Sequence, residues 1–335
     1  MNFAIIGTNY ISDWFMNAGK HCEKLHVQAV YSRTMEKGRE FADKYRIPDC
    51  YDSLEALAGA ENVDAVYVAS PNALHAAQSI QMLNAGKHVL CEKSIASNER
   101  ELRAMLAAAE KNQVIVMEAM RSVFDPGFSA IQENLFKIGK IRRATLQYCQ
   151  YSGRYDKFKN GVVENAFKPE LSNGSLMDIG VYCVHPMVKL FGKPDGITAA
   201  GIKLHNGVDG MGTIVAWYGK QEMLVELIYS KITDSVLPTQ IQGENGCMLI
   251  EEIYNANRLK IRYRDKSWEE IQVEKIDPGN NMCYEIEEFI RAAESGEGAK
   301  EHNQYSIWEM QVMDEARLQM GIVFPADKGR EAGQV

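Results

Sequence analysis

The chain has 335 residues, 46% hydrophobic and 24% charged, which is long enough for two cores and too apolar for a disordered chain. A net charge of −8 with no block of Lys or Arg excludes a track for a nucleic-acid backbone, and no apolar run approaches the roughly 18–20 residues of a membrane span. Seven scattered cysteines with no Cys-x-x-Cys pair exclude a disulfide framework, and Met1-Asn2 leads straight into Phe3-Ala4-Ile5-Ile6 with no basic leader, so a cytoplasmic setting is expected.

Through about residue 120 the pattern alternates strand and helix. Residues 3–7 read as a strand, after which Ile11, Phe15 and Ala18 share a helical face. A second strand covers 25–32 and a second helix 34–45. Asp52 with Glu55 three residues on predicts a capped short helix. The run at 64–70 is continuously apolar, as a strand covered on both faces must be. A helix from Asn72 stops at Gly86, a strand follows at 88–91, Asn98 and Glu101 cap an Ala-rich helix to Asn112, and 114–118 is a further strand. These strands with helices between them predict a Rossmann-type, doubly wound parallel sheet.

Beyond residue 120 the pattern changes. Residues 126–136 read as a helix; 141–151, 197–205, 212–218, 223–232, 240–242, 247–253, 259–264 and 268–273 read as strands. Gly219-Lys220 marks a two-residue hairpin. These elements predict a C-terminal α+β domain with a large, mostly antiparallel sheet, interrupted by a helix at 174–191. A last helix follows Tyr305, residues 328–335 are expected to fray, and the domains are expected at 1–120 and 121–335, the last helix returning toward the first.

The first strand runs into Gly7-Thr8-Asn9-Tyr10-Ile11-Ser12, the position of a G-x-G-x-x-G dinucleotide turn with only its first glycine kept. Asn9 is expected to replace the second glycine because Asn tolerates positive φ, and Ser12 is small enough for close packing. Twenty residues on, Ser32 and Arg33 stand where an NAD enzyme places a ribose-binding acid. Hydroxyl and guanidinium suit a 2′-phosphate, so NADP(H) is favoured over NAD(H).

Two further segments belong at the carboxyl edge of the parallel sheet: Ser70-Pro71-Asn72 with His75, and Cys91-Glu92-Lys93-Ser94. In the second domain Asp178 and Tyr182 are four apart and His185 seven from Asp178, a spacing that predicts one shared helix face. The remaining histidines show no ligand spacing, and no metal site is expected.

With Glu118-Ala119-Met120, the run 176–182 and the closing Gly321-Ile322-Val323-Phe324-Pro325, these segments make the chain resemble the Gfo/Idh/MocA oxidoreductase family over nearly its whole length, nearest the dimeric dihydrodiol dehydrogenase and glucose–fructose oxidoreductase branch. The resemblance implies that Lys93 lies beside the nicotinamide, with Ser94 where relatives have proline. Gly7, Thr8, Asn9, Tyr10, Ile11, Ser32, Arg33, Ser70, Asn72, His75, Glu92 and Met120 are then the remaining cofactor-side residues. It also implies Tyr182 as acid/base, Asp178 as a substrate contact, and Arg154 on a substrate-side loop. Relatives pair through the open face of the second sheet; Ala144, Leu146 and Tyr148 with the strand at 223–228 are expected to supply that contact, giving a homodimer or, alternatively, a tetramer.

The chemistry is consistent with this. Oxidising an alcohol requires a base for the hydroxyl proton, and free Tyr and Lys titrate near ~10 and ~10.4. A lysine ammonium and the nicotinamide charge both favour the phenolate, so Tyr182 as acid/base with Lys93 as tuner is the first assignment, the swapped roles being the other. The expected activity is hydride transfer between NAD(P) and a sugar, polyol or vicinal diol; a dinucleotide-dependent glycosidase and a non-catalytic NADP(H)-binding regulator are the alternatives.

Overall fold

Phe3, Ala4, Ile5 and Ile6 are completely buried, which is what a strand covered on both faces requires. In the computed structural model, which describes residues 1–328, they form the centre of a six-stranded parallel sheet. Its strands are β1 (Asn2–Ile6), β2 (His26–Tyr31), β3 (Asp49–Tyr51), β4 (Ala65–Val68), β5 (His88–Glu92) and β6 (Val116–Ala119), in the order β3-β2-β1-β4-β5-β6. Between them run α1 (Tyr10–Ala18), α2 (Met35–Tyr45), α3 (Leu54–Ala58), α4 (Asn72–Asn84) and α5 (Glu99–Lys111). The order reverses between β1 and β4, so a crevice for ligands opens at the carboxyl ends of those two strands.

Local chemistry sets the helix ends. The Asn98 side chain accepts the Glu101 N–H at 3.0 Å, as expected. Gly86 takes φ +76° after α4, and the Lys87 N–H closes back on the Met82 carbonyl at 3.1 Å. The short helix α3 is capped by Ser53, which accepts the Ala56 N–H at 3.2 Å, one residue later than Asp52 was expected to act. Serine is simply the residue adjacent to the first turn.

The second sheet has eight strands: β7 (Ile141–Cys149), β8 (Gly196–Lys203), β9 (Asp209–Tyr218), β10 (Met223–Ser230), β11 (Thr239–Gly243), β12 (Gly246–Ile250), β13 (Leu259–Tyr263) and β14 (Trp268–Ile271). They lie in the order β14-β13-β12-β11-β7-β10-β9-β8, antiparallel except for β7 beside β10. The turn between β9 and β10 has four residues, not two: Tyr218 pairs with Met223, and Glu222 takes φ +55° with its N–H on the Gly219 carbonyl. Helix α6 (Pro126–Asn134) precedes this sheet. Two further helices were not expected: α7 (Gly153–Lys159) over the segment read as a loop, and α9 (Met282–Ser295). Helix α8 (Val181–Phe191) continues from a π-helical stretch, Leu176–Gly180, and packs on one face of the sheet against β7 and β10.

The chain forms two compact units, Met1–Arg121 with Gly279–Ile307, and Ser122–Pro278 with the described residues from Trp308 on. A single cut after residue 120 therefore does not describe it: the chain returns to the first unit with α9 and the start of α10 (Ala299–Met320) before ending in the second. Of the segment expected to fray, 328–335, all but Lys328 lies outside the described residues.

Face assignment corrects one expectation. Ala144 and Leu146 are completely buried within their own unit, on the face that α8 covers. The opposite face presents the intervening residues, among them Arg143, Thr145 and Gln147 on β7 and Leu224 on β10. Alternation had been read correctly but assigned to the wrong side.

Asp209, the first residue of β9, is buried and accepts the Leu176 N–H at 2.6 Å. Burial raises its carboxyl from 3.8 to about 6, against the pull of the Leu176 and Ser175 N–H groups and the Arg317 charge. An acid whose folded value is raised stabilises the fold fully below its unfolded value and loses that contribution as pH rises through the folded one. The loss therefore spans about pH 4 to 6 and is worth about 3 kcal/mol. Urea unfolding of Asp209→Asn should lack this slope; parallel pH curves for the two proteins would show that the carboxyl is not perturbed.

Candidate active site

The dinucleotide turn is built on close backbone approach. Gly7 has φ +109°, and a Cβ there would lie 2.8 Å from the Ala69 carbonyl oxygen. The Asn9 side-chain amide donates to that same oxygen at 2.6 Å. Asn9 itself sits at φ −94°, so it does not use the positive φ expected of it; its side chain caps α1 by accepting the Ile11 N–H at 2.9 Å. A second glycine is unnecessary because an N-cap side chain occupies that position. Ser12 is buried and donates to the Gly7 carbonyl at 2.9 Å. Thr8 is half-buried, and Tyr10, opening α1, is exposed.

This arrangement suits a dinucleotide: a glycine turn that no side chain can fill, followed by the N-terminus of a nine-residue helix. Ser32 is buried just past β2 with its N–H on the Tyr51 carbonyl, and Arg33 beside it is exposed. No carboxylate stands at the end of that strand.

The two neighbouring turns are tied together by His75. One ring nitrogen meets the Ser70 carbonyl at 2.7 Å and the other the Ser94 carbonyl at 3.0 Å. The ring is fully buried, and that burial lowers its pKa below the usual histidine value. His75 is thus a strut between the turns after β4 and β5. Ser70 hydroxyl donates to Gln78 at 2.6 Å, and Asn72 is buried at the start of α4. Lys93 follows β5, half-buried, with its N–H 3.2 Å from Oε2 of Glu92. The peptide bond from Lys93 to Ser94 is cis. Glu92 is buried and accepts a short hydrogen bond from the Tyr67 hydroxyl; burial raises its carboxyl, opposed by Tyr67, Lys93 and Arg121. Met120 is buried after β6. The Cys91 thiol is pushed well above its ordinary range by burial, which removes it as a nucleophile.

In the second unit, Gly174 at φ +157° lies against Asp209, and Asp209 holds the N-terminus of the π-helical stretch. This stretch presents Asp178, whose carboxylate forms an ion pair with Lys231. Tyr182, 7% exposed, lies one turn on, with its ring edge-on to Tyr148 at 5.8 Å, and Tyr148 stacks on Tyr254 at 4.1 Å. His185 turns into the core and meets Glu309 at 2.6 Å. The three side chains expected on one face therefore have three different surroundings. A wider π turn interrupts the 3.6-residue repeat, and Pro186 cannot donate to the Tyr182 carbonyl four residues back. Arg154 is in α7, not a loop, 3.6 Å from Glu164, which Lys157 also pairs at 2.6 Å. Lys231 and Tyr254 escaped sequence reasoning, and Tyr148, expected at a dimer contact, packs against Tyr182 instead; all three lie on the sheet or its connections, far in sequence from the residues they meet.

Residues 1–120 match the family model "Oxidoreductase family, NAD-binding Rossmann fold", and residues 136–248 match "GFO/IDH/MocA C-terminal domain". The chain is 48% identical over 330 residues to the scyllo-inositol 2-dehydrogenase (NADP(+)) of Bacillus subtilis, covering 98% of this chain and 99% of that protein. It is 30% identical over 318 residues to the trans-1,2-dihydrobenzene-1,2-diol dehydrogenase of Mus musculus, covering 90% and 91%. Among solved structures, the aldose-aldose oxidoreductase of Caulobacter crescentus has a TM-score of 0.83 over 95% of this chain and 97% of that one; at 20% identity the likeness is one of fold.

The Gly7 turn yields a direct test. Gly7→Ala combines a positive φ with a Cβ 2.8 Å from a carbonyl, so urea unfolding should show a loss of about 1–3 kcal/mol. Unchanged stability would mean that the turn is looser than described.

Proposed function

The chain belongs to the Gfo/Idh/MocA oxidoreductase family, and we propose that it is an NADP(H)-dependent dehydrogenase acting on a hydroxyl-bearing carbon of a polyol, sugar or vicinal diol. The observation that carries this reading is the 48% identity, end to end, with a scyllo-inositol dehydrogenase that uses NADP(+). The first unit would hold the dinucleotide with the Gly7–Ile11 turn, Ser32 and Arg33 on the 2′-phosphate, and Ser70, Asn72, His75, Glu92, Lys93 and Met120 along the sheet edge. NADP+ supplies the hydride acceptor when bound.

The chain's own contribution is the proton. Tyr182 takes it from the substrate hydroxyl on oxidation and returns it on reduction. Lys93 has the role of tuner or relay for that proton, and Asp178 accepts hydrogen bonds from substrate hydroxyls. Arg154 contributes on the substrate side. A dinucleotide-dependent glycosidase would instead release a sugar with no net change of nucleotide, which the same assay separates. The reading includes a homodimer formed through the outer face of the second sheet, where Ile202, Trp217, Leu224 and Trp268 are exposed.

Two measurements test this. Fluorescence titration should show NADPH binding at least about tenfold tighter than NADH, with Arg33→Ala erasing the difference, since a bidentate charge-assisted contact is worth roughly that much; equal binding of the two nucleotides removes the role given to Arg33. Tyr182→Phe should lower kcat with scyllo-inositol by about 10²-fold or more and leave NADPH affinity within about twofold. Full activity in that variant would transfer the proton to another group, Lys93 first.

A further inference from the structure

We infer that Lys231 is a positioning residue for this reaction: it holds the Asp178 carboxylate ionised and fixed, so that the carboxylate receives substrate hydroxyls. This rests on the dehydrogenase reading above for its functional half, while the ion pair itself is a property of the second unit.

Lys231 follows the last residue of β10, and its backbone is fixed on both sides. Its N–H donates to the Gly210 carbonyl at 2.9 Å, and its carbonyl accepts the Ser152 N–H at 2.9 Å. Its side chain is 5% exposed, and its ammonium lies 5.4 Å from the ring centroid of fully buried Phe167. The partner is asymmetric: the Asp178 side chain is 26% exposed. Hidden cation and accessible anion therefore form a pair of which solvent, or a ligand, reaches mainly the carboxylate.

A buried ammonium is costly unless an anion compensates it, and a neighbouring cation favours the charged form of a carboxylate. The pair settles both. While ionised, Asp178 is an acceptor only, so it selects groups that donate, such as the hydroxyls of a polyol. A protonated Asp178 would present a donor as well and lose that preference. The π-helical stretch sets the direction, because Asp178 lies inside it with its N–H on the Gly174 carbonyl at 3.1 Å. Lys231 then locks the side chain from the sheet below.

The test uses the full chain with scyllo-inositol and NADP+. Lys231→Met is expected to raise KM at least tenfold with kcat within about threefold and NADPH affinity unchanged, since the binding contact is lost and the proton transfer is not. Lys231→Arg should recover KM to within about threefold. Asp178→Asn should resemble Lys231→Met, and the double variant should be no worse than the worse single one. Multiplying effects in the double variant, or an unchanged KM in Lys231→Met, would overturn the proposal. If the wild type turns over no polyol, the dehydrogenase reading fails on its own account. The pair is then read by thermal unfolding: each single variant should lower the midpoint and the double variant restore part of it, whereas additive losses overturn the pair as well.

Discussion

The carbonyl oxygen of Ala69 is the point against which the edge of the parallel sheet is assembled. Gly7 can pass it only because it has no Cβ, and the Asn9 amide donates to it at 2.6 Å. The Ala69 N–H meanwhile completes the pairing of β4 with β1 by donating to Ile6 at 2.9 Å. The turn after β1 is thereby fixed to the turn after β4, at the place where strand order reverses. From Ser70 the linkage continues through the His75 ring to Ser94, next to Lys93. A succession of contacts, each buried or half-buried, thus runs from the glycine turn to Ser94, the neutral His75 ring donating to one of the two carbonyls it meets. Preorganised geometry of this kind needs no reorganisation when charge develops.

The second unit solves a related problem by dividing the work between two aspartates. Asp209 is wholly buried, has its carboxyl raised to about 6, and caps the helical stretch by accepting a backbone N–H. Asp178 lies in that same stretch, just past the capped Leu176, partly exposed and paired with Lys231. One acid serves architecture and the other remains able to bind a ligand, and the difference comes from surroundings, not residue type. Gly174 makes this possible, since a side chain there would collide with Asp209.

Much of the fold was legible because its elements announce themselves locally. Continuous apolar runs gave the buried parallel strands, alternation gave the second sheet, and the cap at Asn98 was correct to the residue. What was missed has identifiable causes. The edge strand β3 is three residues long and half-buried throughout, so no hydrophobic run marks it. Helix α9 does carry an apolar stripe, Met282, Ile286, Phe289 and Ile290, but it follows a long series of strands and belongs to a unit the chain had already left. Asn9 was assigned the right place for the wrong reason. Its composition permits both positive φ and N-capping, and only the presence of the Ala69 carbonyl decides between them.

The candidate site was legible in its residue types and not in its partners, and the distinction is physical. Spacing along a helix defines a face, but what a side chain meets is determined by whatever another element brings to that face. Asp178, Tyr182 and His185 share a spacing and end beside a lysine, a pair of tyrosines and a buried glutamate. Each environment favours a different use. A buried carboxylate beside His185 makes it a core residue, two tyrosine rings pack edge-on to Tyr182, and a cation pairs with the Asp178 carboxylate. Lys231 is 53 residues from Asp178 in sequence and matches no motif. Its effect on Asp178 arises only when β10 delivers it to the π-helical stretch before α8, so the chemistry of the aspartate depends on the register of the sheet as much as on its own identity.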